Sequence, residues 1–117
     1  MEGDRERIIE RREELEEMVR EAFPDKSINI LTMEEYRGDD PDKWRIRIVE
    51  PKKPYRRLVL FPTKEFMTDA GIPFNRLIKE AIEFVKQKLN LSQEGFLGNL
   101  ILKTTGIEWK PEEKQEG

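Results

Sequence analysis

The chain has 117 residues and contains neither cysteine nor histidine. The length suits one domain with a modest core and is too short for two ordinary domains. Without Cys and His, the chain has no disulfides or thiolate metal ligands, and it lacks the commonest general base. We therefore expect no enzymatic activity, no cofactor and no metal site.

The charge of the chain is distributed unevenly. The net charge is −3, but residues 1–42 carry −8, residues 43–64 carry +7 and residues 65–117 carry −2. Local charge of this kind steers partners more strongly than net charge does. Charged residues make up 40% of the chain, which is typical of thermophilic proteins.

The N-terminal residues carry no apolar signal core, and no apolar run in the chain is long enough to span a membrane. The sequence therefore predicts a cytoplasmic protein without membrane contact.

A helix is predicted for residues 4–23, where apolar residues recur at helical spacing. Its apolar stripe is interrupted by Arg11 and Arg12, its outer face is rich in Glu, and Pro24 ends it. The stripe faces the protein's own sheet in one interpretation, whereas in the other the first two turns pack on another subunit. A strand is predicted from Ser27 to Tyr36, followed by an acidic turn over residues 37–42.

The most β-like segment is a predicted hairpin from Lys43 to Lys64, with strands over residues 44–50 and 55–61. Strand alternation directs Trp44, Ile46 and Ile48 toward the core, and it directs Arg45 and Arg47 to the exposed face. The hairpin also carries the six cations that we assign to a binding surface for a partner or a phosphate: Arg45, Arg47, Lys52, Lys53, Arg56 and Arg57.

The second half begins with a short helical turn capped by Thr63. The main core helix is then predicted from Ile72 to Leu89, with a continuous apolar stripe. For residues 92–104 we predict a short helix, and the alternative is a strand that turns at residues 105–106 into a hairpin. Residues 111–117 are predicted to be a disordered charged tail.

Together these elements predict a single α+β domain over residues 1–110. Its core is a three-stranded antiparallel sheet with two main helices packed on it, in the order α-β-β-β-α, followed by the short C-terminal helix or hairpin. This order resembles that of the double-stranded RNA-binding domain. The resemblance covers element order alone, because residues 72–77, at the start of the second main helix, contain Arg76 as their one cation.

The sequence favours a non-enzymatic protein-interaction or self-association module that acts through the basic hairpin. A homodimer is expected, because the acidic first helix of one chain is able to face the basic hairpin of the other. The alternative is a nucleic-acid-binding protein in which the same cations contact phosphates. That use requires the acidic helix to lie on the far side of the sheet from Arg45 and Arg47.

Overall fold

The computed structural model describes residues 2–32, 43–52, 56–91 and 94–112. The described segments form three helices and five strands. The helices are α1 (Glu2–Ala22), α2 (Lys64–Thr68) and α3 (Phe74–Leu89). The strands are β1 (Ser27–Leu31), β2 (Arg45–Val49), β3 (Arg57–Pro62), β4 (Phe96–Lys103) and β5 (Gly106–Pro111). The predicted acidic turn and Lys53 lie outside the described residues, as does most of the predicted tail.

The strands form one mixed sheet in the order β1-β2-β3-β4-β5. The predicted antiparallel meander is present as β1, β2 and β3. After α2 and α3 the chain returns as β4, which pairs parallel to β3, and β5 then pairs antiparallel to β4. The α+β class is therefore confirmed, whereas the prediction of a purely antiparallel three-stranded sheet is wrong.

The predicted helix over residues 92–104 is also wrong, and the alternative hairpin is the structure that forms. The pairing of β3 with β4 shifts register between Arg57 and Leu58, so that Leu58 lies opposite Gly98. This irregularity adds a residue at Leu97 and interrupts the two-residue alternation of a strand. The apolar spacing at the start of β4 consequently imitates that of a helix.

All three helices lie on one face of the sheet and share a continuous core with it. The helices contribute Leu15, Val19, Phe66, Met67, Ile78 and Val85, each with less than 2% of its surface exposed. The sheet contributes Ile46, Ile48, Leu58, Leu60, Leu100 and Leu102 to the same fully buried set. The interpretation of α1 as a helix on its own core is confirmed.

Two arginines of α1, one of them Arg11 from the interrupted stripe, join this helix to α2. Arg7 and Arg11 donate hydrogen bonds of 2.8 and 2.7 Å to the carbonyl oxygens of Thr68 and Phe66. Arg11 is 9% exposed and lies 4.8 Å from the centre of the Phe74 ring, and burial lowers its pKa. These arginines therefore satisfy backbone acceptors of a five-residue helix that has few internal hydrogen bonds.

Candidate interaction surface

The sheet face opposite the helices, hereafter the open face, has no described element packed on it. Strand register aligns its side chains in rows that cross the sheet. One row contains Asn29, Arg47, Val59, Asn99 and Lys110. A second contains Leu31 beside Arg45, and Phe61 beside Ile101 and Glu108. A third contains Ser27, Val49, Arg57 and Phe96.

The centre of the open face is apolar. Val59 and Phe61 on β3 lie beside Ile101 on β4, and none of the three belongs to the core between sheet and helices. Val59 is nevertheless only 8% exposed, because Arg47 and Asn99 flank it in its row. Phe61 and Ile101 are half-buried, and together with Val59 they form a small contiguous apolar patch. Contiguous apolar patches, unlike single apolar side chains, are a feature of interaction surfaces.

Arginines border this apolar centre on the β2 side. The Arg45 guanidinium lies 4.2 Å from the centre of the Phe61 ring, an arrangement that is stabilising for a cation. The Nε atoms of Arg45 and Arg47 are buried without a hydrogen-bond partner. Within the described residues, no carboxylate forms an ion pair with either arginine. Their charge is therefore not neutralised by the described part of the chain.

The opposite border, on β4 and β5, is more nearly neutral. The Glu108 carboxylate lies 3.2 Å from Lys103 Nζ and 3.9 Å from Lys110 Nζ. Glu108 is the single acidic residue in the rows of the open face, which contain three arginines. Within the described residues the face is therefore cationic, and the arginines that form no ion pair there, Arg45 and Arg47, lie on β2.

Strand alternation separates the six cations predicted from the hairpin. Arg45, Arg47 and Arg57 lie on the open face, and Arg57 is 5.9 Å from the centre of the Phe96 ring. Arg56 instead donates a hydrogen bond to the carbonyl oxygen of Leu91, just after α3. Lys52 is exposed beyond the end of β2.

The one carboxylate of the hairpin is paired away from these arginines. Glu50 lies 2.8 Å from Lys26 Nζ, and both side chains are largely buried. The hydrogen bond from Lys26 lowers the pKa of Glu50, and the same bond raises the pKa of Lys26. This pair joins the loop after α1 to the end of β2, and it leaves Glu50 engaged with Lys26.

The acidic face of α1 and the open face lie on opposite sides of the sheet. Exposed carboxylates on α1 include Glu10, Glu13, Glu17 and Glu21. A contact between this helix and the open face of another copy is therefore head-to-tail, and such contacts generate rings or open chains. The homodimer predicted from the sequence, in which α1 of one chain faces the basic hairpin of the other, stays a prediction.

In the described ranges, no group of three or more Asp or Glu side chains is placed to hold a metal ion. None of the helices described here has the length and apolar character needed to cross a membrane. Comparisons with protein-family models, curated proteins and solved structures found no match for this chain.

Proposed function

We propose that this protein is a non-enzymatic protein-interaction module whose docking surface is the open face. The observation that carries the proposal is the apolar centre at Val59, Phe61 and Ile101, bordered by Arg45 and Arg47, which form no ion pair within the described residues. Protein interfaces combine an apolar centre with a polar rim, and their strongest contacts are enriched in arginine and aromatic residues.

The charge of the open face selects an acidic partner. Arg45 and Arg47 form no ion pair within the described residues, so a carboxylate placed against their guanidinium groups gains a charge-assisted hydrogen bond. Two open faces meeting across a two-fold axis place arginines of like charge in one interface, which is unfavourable. The proposal therefore favours an acidic protein of a different kind over a second copy of this chain.

A peptide selection tests this proposal. We expect a displayed library of random 16-residue peptides, selected on the wild-type protein, to yield peptides that combine acidic and apolar residues. Affinity for those peptides should fall on the order of tenfold or more in the Arg45→Glu/Arg47→Glu variant, because opposed charges become like charges. The measurement is fluorescence anisotropy with labelled peptide.

The matched control for this experiment is Lys64→Glu/Lys79→Glu. It changes net charge by the same amount at exposed positions on α2 and α3. If charge reversal prevents folding, peptide affinity is measured instead on a neutral variant, Arg45→Gln/Arg47→Gln. The proposal would be overturned if the selected peptides lacked acidic residues. It would also be overturned if the selected peptides bound wild type and both arginine variants with equal affinity.

Nucleic-acid binding is the second candidate, and one observation favours it. The acidic helix α1 lies on the far side of the sheet from Arg45 and Arg47, so its negative surface does not face the open face. Two further features favour protein instead. The Phe61 ring is covered by Arg45 on one side, and Val59 and Ile101 offer no aromatic surface on which a base stacks.

We expect no saturable binding of single- or double-stranded probes in a titration at about 50 mM salt, where phosphate contacts are strong. The opposite result has a clear signature. Log K would fall by about 0.7–0.9 per engaged cation for each tenfold rise in salt, and Arg45→Ala and Arg47→Ala would each flatten that slope. That outcome would replace the protein-interaction proposal with nucleic-acid binding.

A further inference from the structure

We infer that the partner of the open face is an amphipathic helix with a row of acidic residues along one flank, lying lengthwise over β3 and β4. This inference rests on the proposed function, and it adds the shape and charge pattern of the partner. Its basis is the arrangement of apolar and cationic rows on the open face.

On the open face, three apolar side chains, hereafter the apolar track, lie between two charged borders. Val59, Phe61 and Ile101 form the track on β3 and β4. Arg45 and Arg47 border it on β2, and Lys103, Lys110 and Glu108 border it on the other side. Neighbouring strands are about 4.8 Å apart, so β2 and β5 are separated by about 14 Å, which is close to the 10–12 Å width of a helix.

The backbone of the sheet explains why the partner is a helix and not an extended strand. The β3 and β4 backbones pair with strands on both sides, so the centre of the open face offers few backbone groups to a partner. An extended peptide lying on this face leaves its own N–H and C=O groups without partners in an apolar environment. A helix satisfies those groups internally and presents only side chains.

The spacing of the arginines matches acidic residues on a helix. Arg45 and Arg47 are two residues apart on β2, a separation of about 6.8 Å along the strand. Residues i and i+4 of a helix are separated by about 6 Å along its axis and lie on the same side. Carboxylates at i and i+4 are therefore placed to meet both arginines.

The two borders also make the partner's charge one-sided. Arg45 and Arg47 form no ion pair within the described residues, whereas Lys103 and Lys110 already share Glu108. A carboxylate of the partner therefore contributes more binding free energy on the β2 flank than on the β5 flank. The partner is not α1 of a second copy, because the apolar stripe of α1, including Leu15 and Val19, is buried in its own core.

Synthetic peptides test this inference. The first is an 18-residue amphipathic helix with Leu at i, i+3, i+4 and i+7, and with Glu at i+1 and i+5, two positions four residues apart on one flank of the Leu stripe. The second has the same composition in an order without amphipathicity, and the third has proline at the centre of the first. We expect binding of the first peptide to the full chain, and at least tenfold weaker binding of the other two. Anisotropy titration with labelled peptide measures the affinity of each of the three peptides.

Variants of the protein locate the bound peptide. Arg45→Gln/Arg47→Gln and Ile101→Thr should each weaken binding of the first peptide at least fivefold. Ile9→Thr is the control, because Ile9 is 46% exposed on α1, away from the open face. Equal loss in Ile9→Thr would overturn the placement on the open face.

The outcomes separate this inference from the proposed function. Equal affinity for the helical and the proline-containing peptide overturns the helical partner, while binding of either acidic peptide at the open face keeps the interaction module. Absence of binding by every acidic peptide, whether designed or selected from the library, overturns both.

Discussion

We expect Ile78→Ala to lower the free energy of unfolding by about 2–5 kcal/mol, the range for truncation of a buried aliphatic side chain. Ile78 is fully buried in the middle of α3, in a stripe that also includes Leu77, Ile82 and Val85. Removing its side chain leaves a cavity between α3 and the sheet, which neighbouring core residues fill only partly. Urea unfolding followed by circular dichroism measures the change.

The matched control is Lys79→Ala, one residue along the same helix and exposed. Its free energy of unfolding should change by no more than about 0.5 kcal/mol, as is usual for surface substitutions. Equal unfolding midpoints for Ile78→Ala and wild type would show that α3 does not organise the core as the structure indicates.

The helix α3 was predictable because its signal is strong and local. Its apolar residues recur every three or four positions from Phe74 to Leu89, and the structure buries that whole stripe. The structure begins the helix at Phe74, two residues after the predicted start. Pro73 precedes the first helical residue, so the missing N–H of proline is placed where a helix does not need it.

The sequence signal for the strands β4 and β5 was weaker than the signal for α3, because β4 is an interior strand of the sheet. Leu100 and Leu102 face the helices, while Ile101 contributes to the open face, so apolar residues occupy both sides of the strand. Such a strand loses the apolar–polar alternation that identifies a half-exposed strand. The two glycines Gly95 and Gly98 were the available signal against a helix.

The same limitation explains which part of the open face the sequence identified. Alternation along β2 correctly placed Arg45 and Arg47 on the side opposite Ile46 and Ile48. The contribution of Ile101 depends on the parallel pairing of β3 with β4, a contact between residues about 40 positions apart. No local pattern specifies a contact of that separation, so the cations were predictable and the apolar track between them was not.

We expect Gly98→Ala to be considerably more destabilising than Gly106→Ala. Both glycines have a positive φ, +144° at Gly98 and +141° at Gly106, which L-residues rarely adopt. The surroundings differ. A Cβ at Gly98 would lie 2.4 Å from the carbonyl oxygen of Lys110 and 2.8 Å from Pro111 Cα, whereas a Cβ at Gly106 meets nothing within 4 Å.

The pair of variants therefore separates backbone strain from steric overlap. Strain at a positive φ costs about 1–3 kcal/mol, and both variants include this cost. Overpacking adds a further 1–3 kcal/mol at Gly98 alone, because the obstructing atoms belong to the β5 backbone and do not move aside as a flexible side chain does. Urea unfolding of the two variants gives the difference directly.

Tryptophan fluorescence shows whether the overlap is relieved by movement of β5. The Trp109 ring packs 5.3 Å from the Phe84 ring, and a Cβ at Gly98 would approach the Trp109 ring to 3.0 Å. We expect a shifted emission maximum in Gly98→Ala and an unchanged maximum in Gly106→Ala, with Trp44 in its buried position in both. Equal stabilities and identical spectra for the two variants would contradict the close approach of β4 to β5, and with it the placement of Lys110 at the border of the open face.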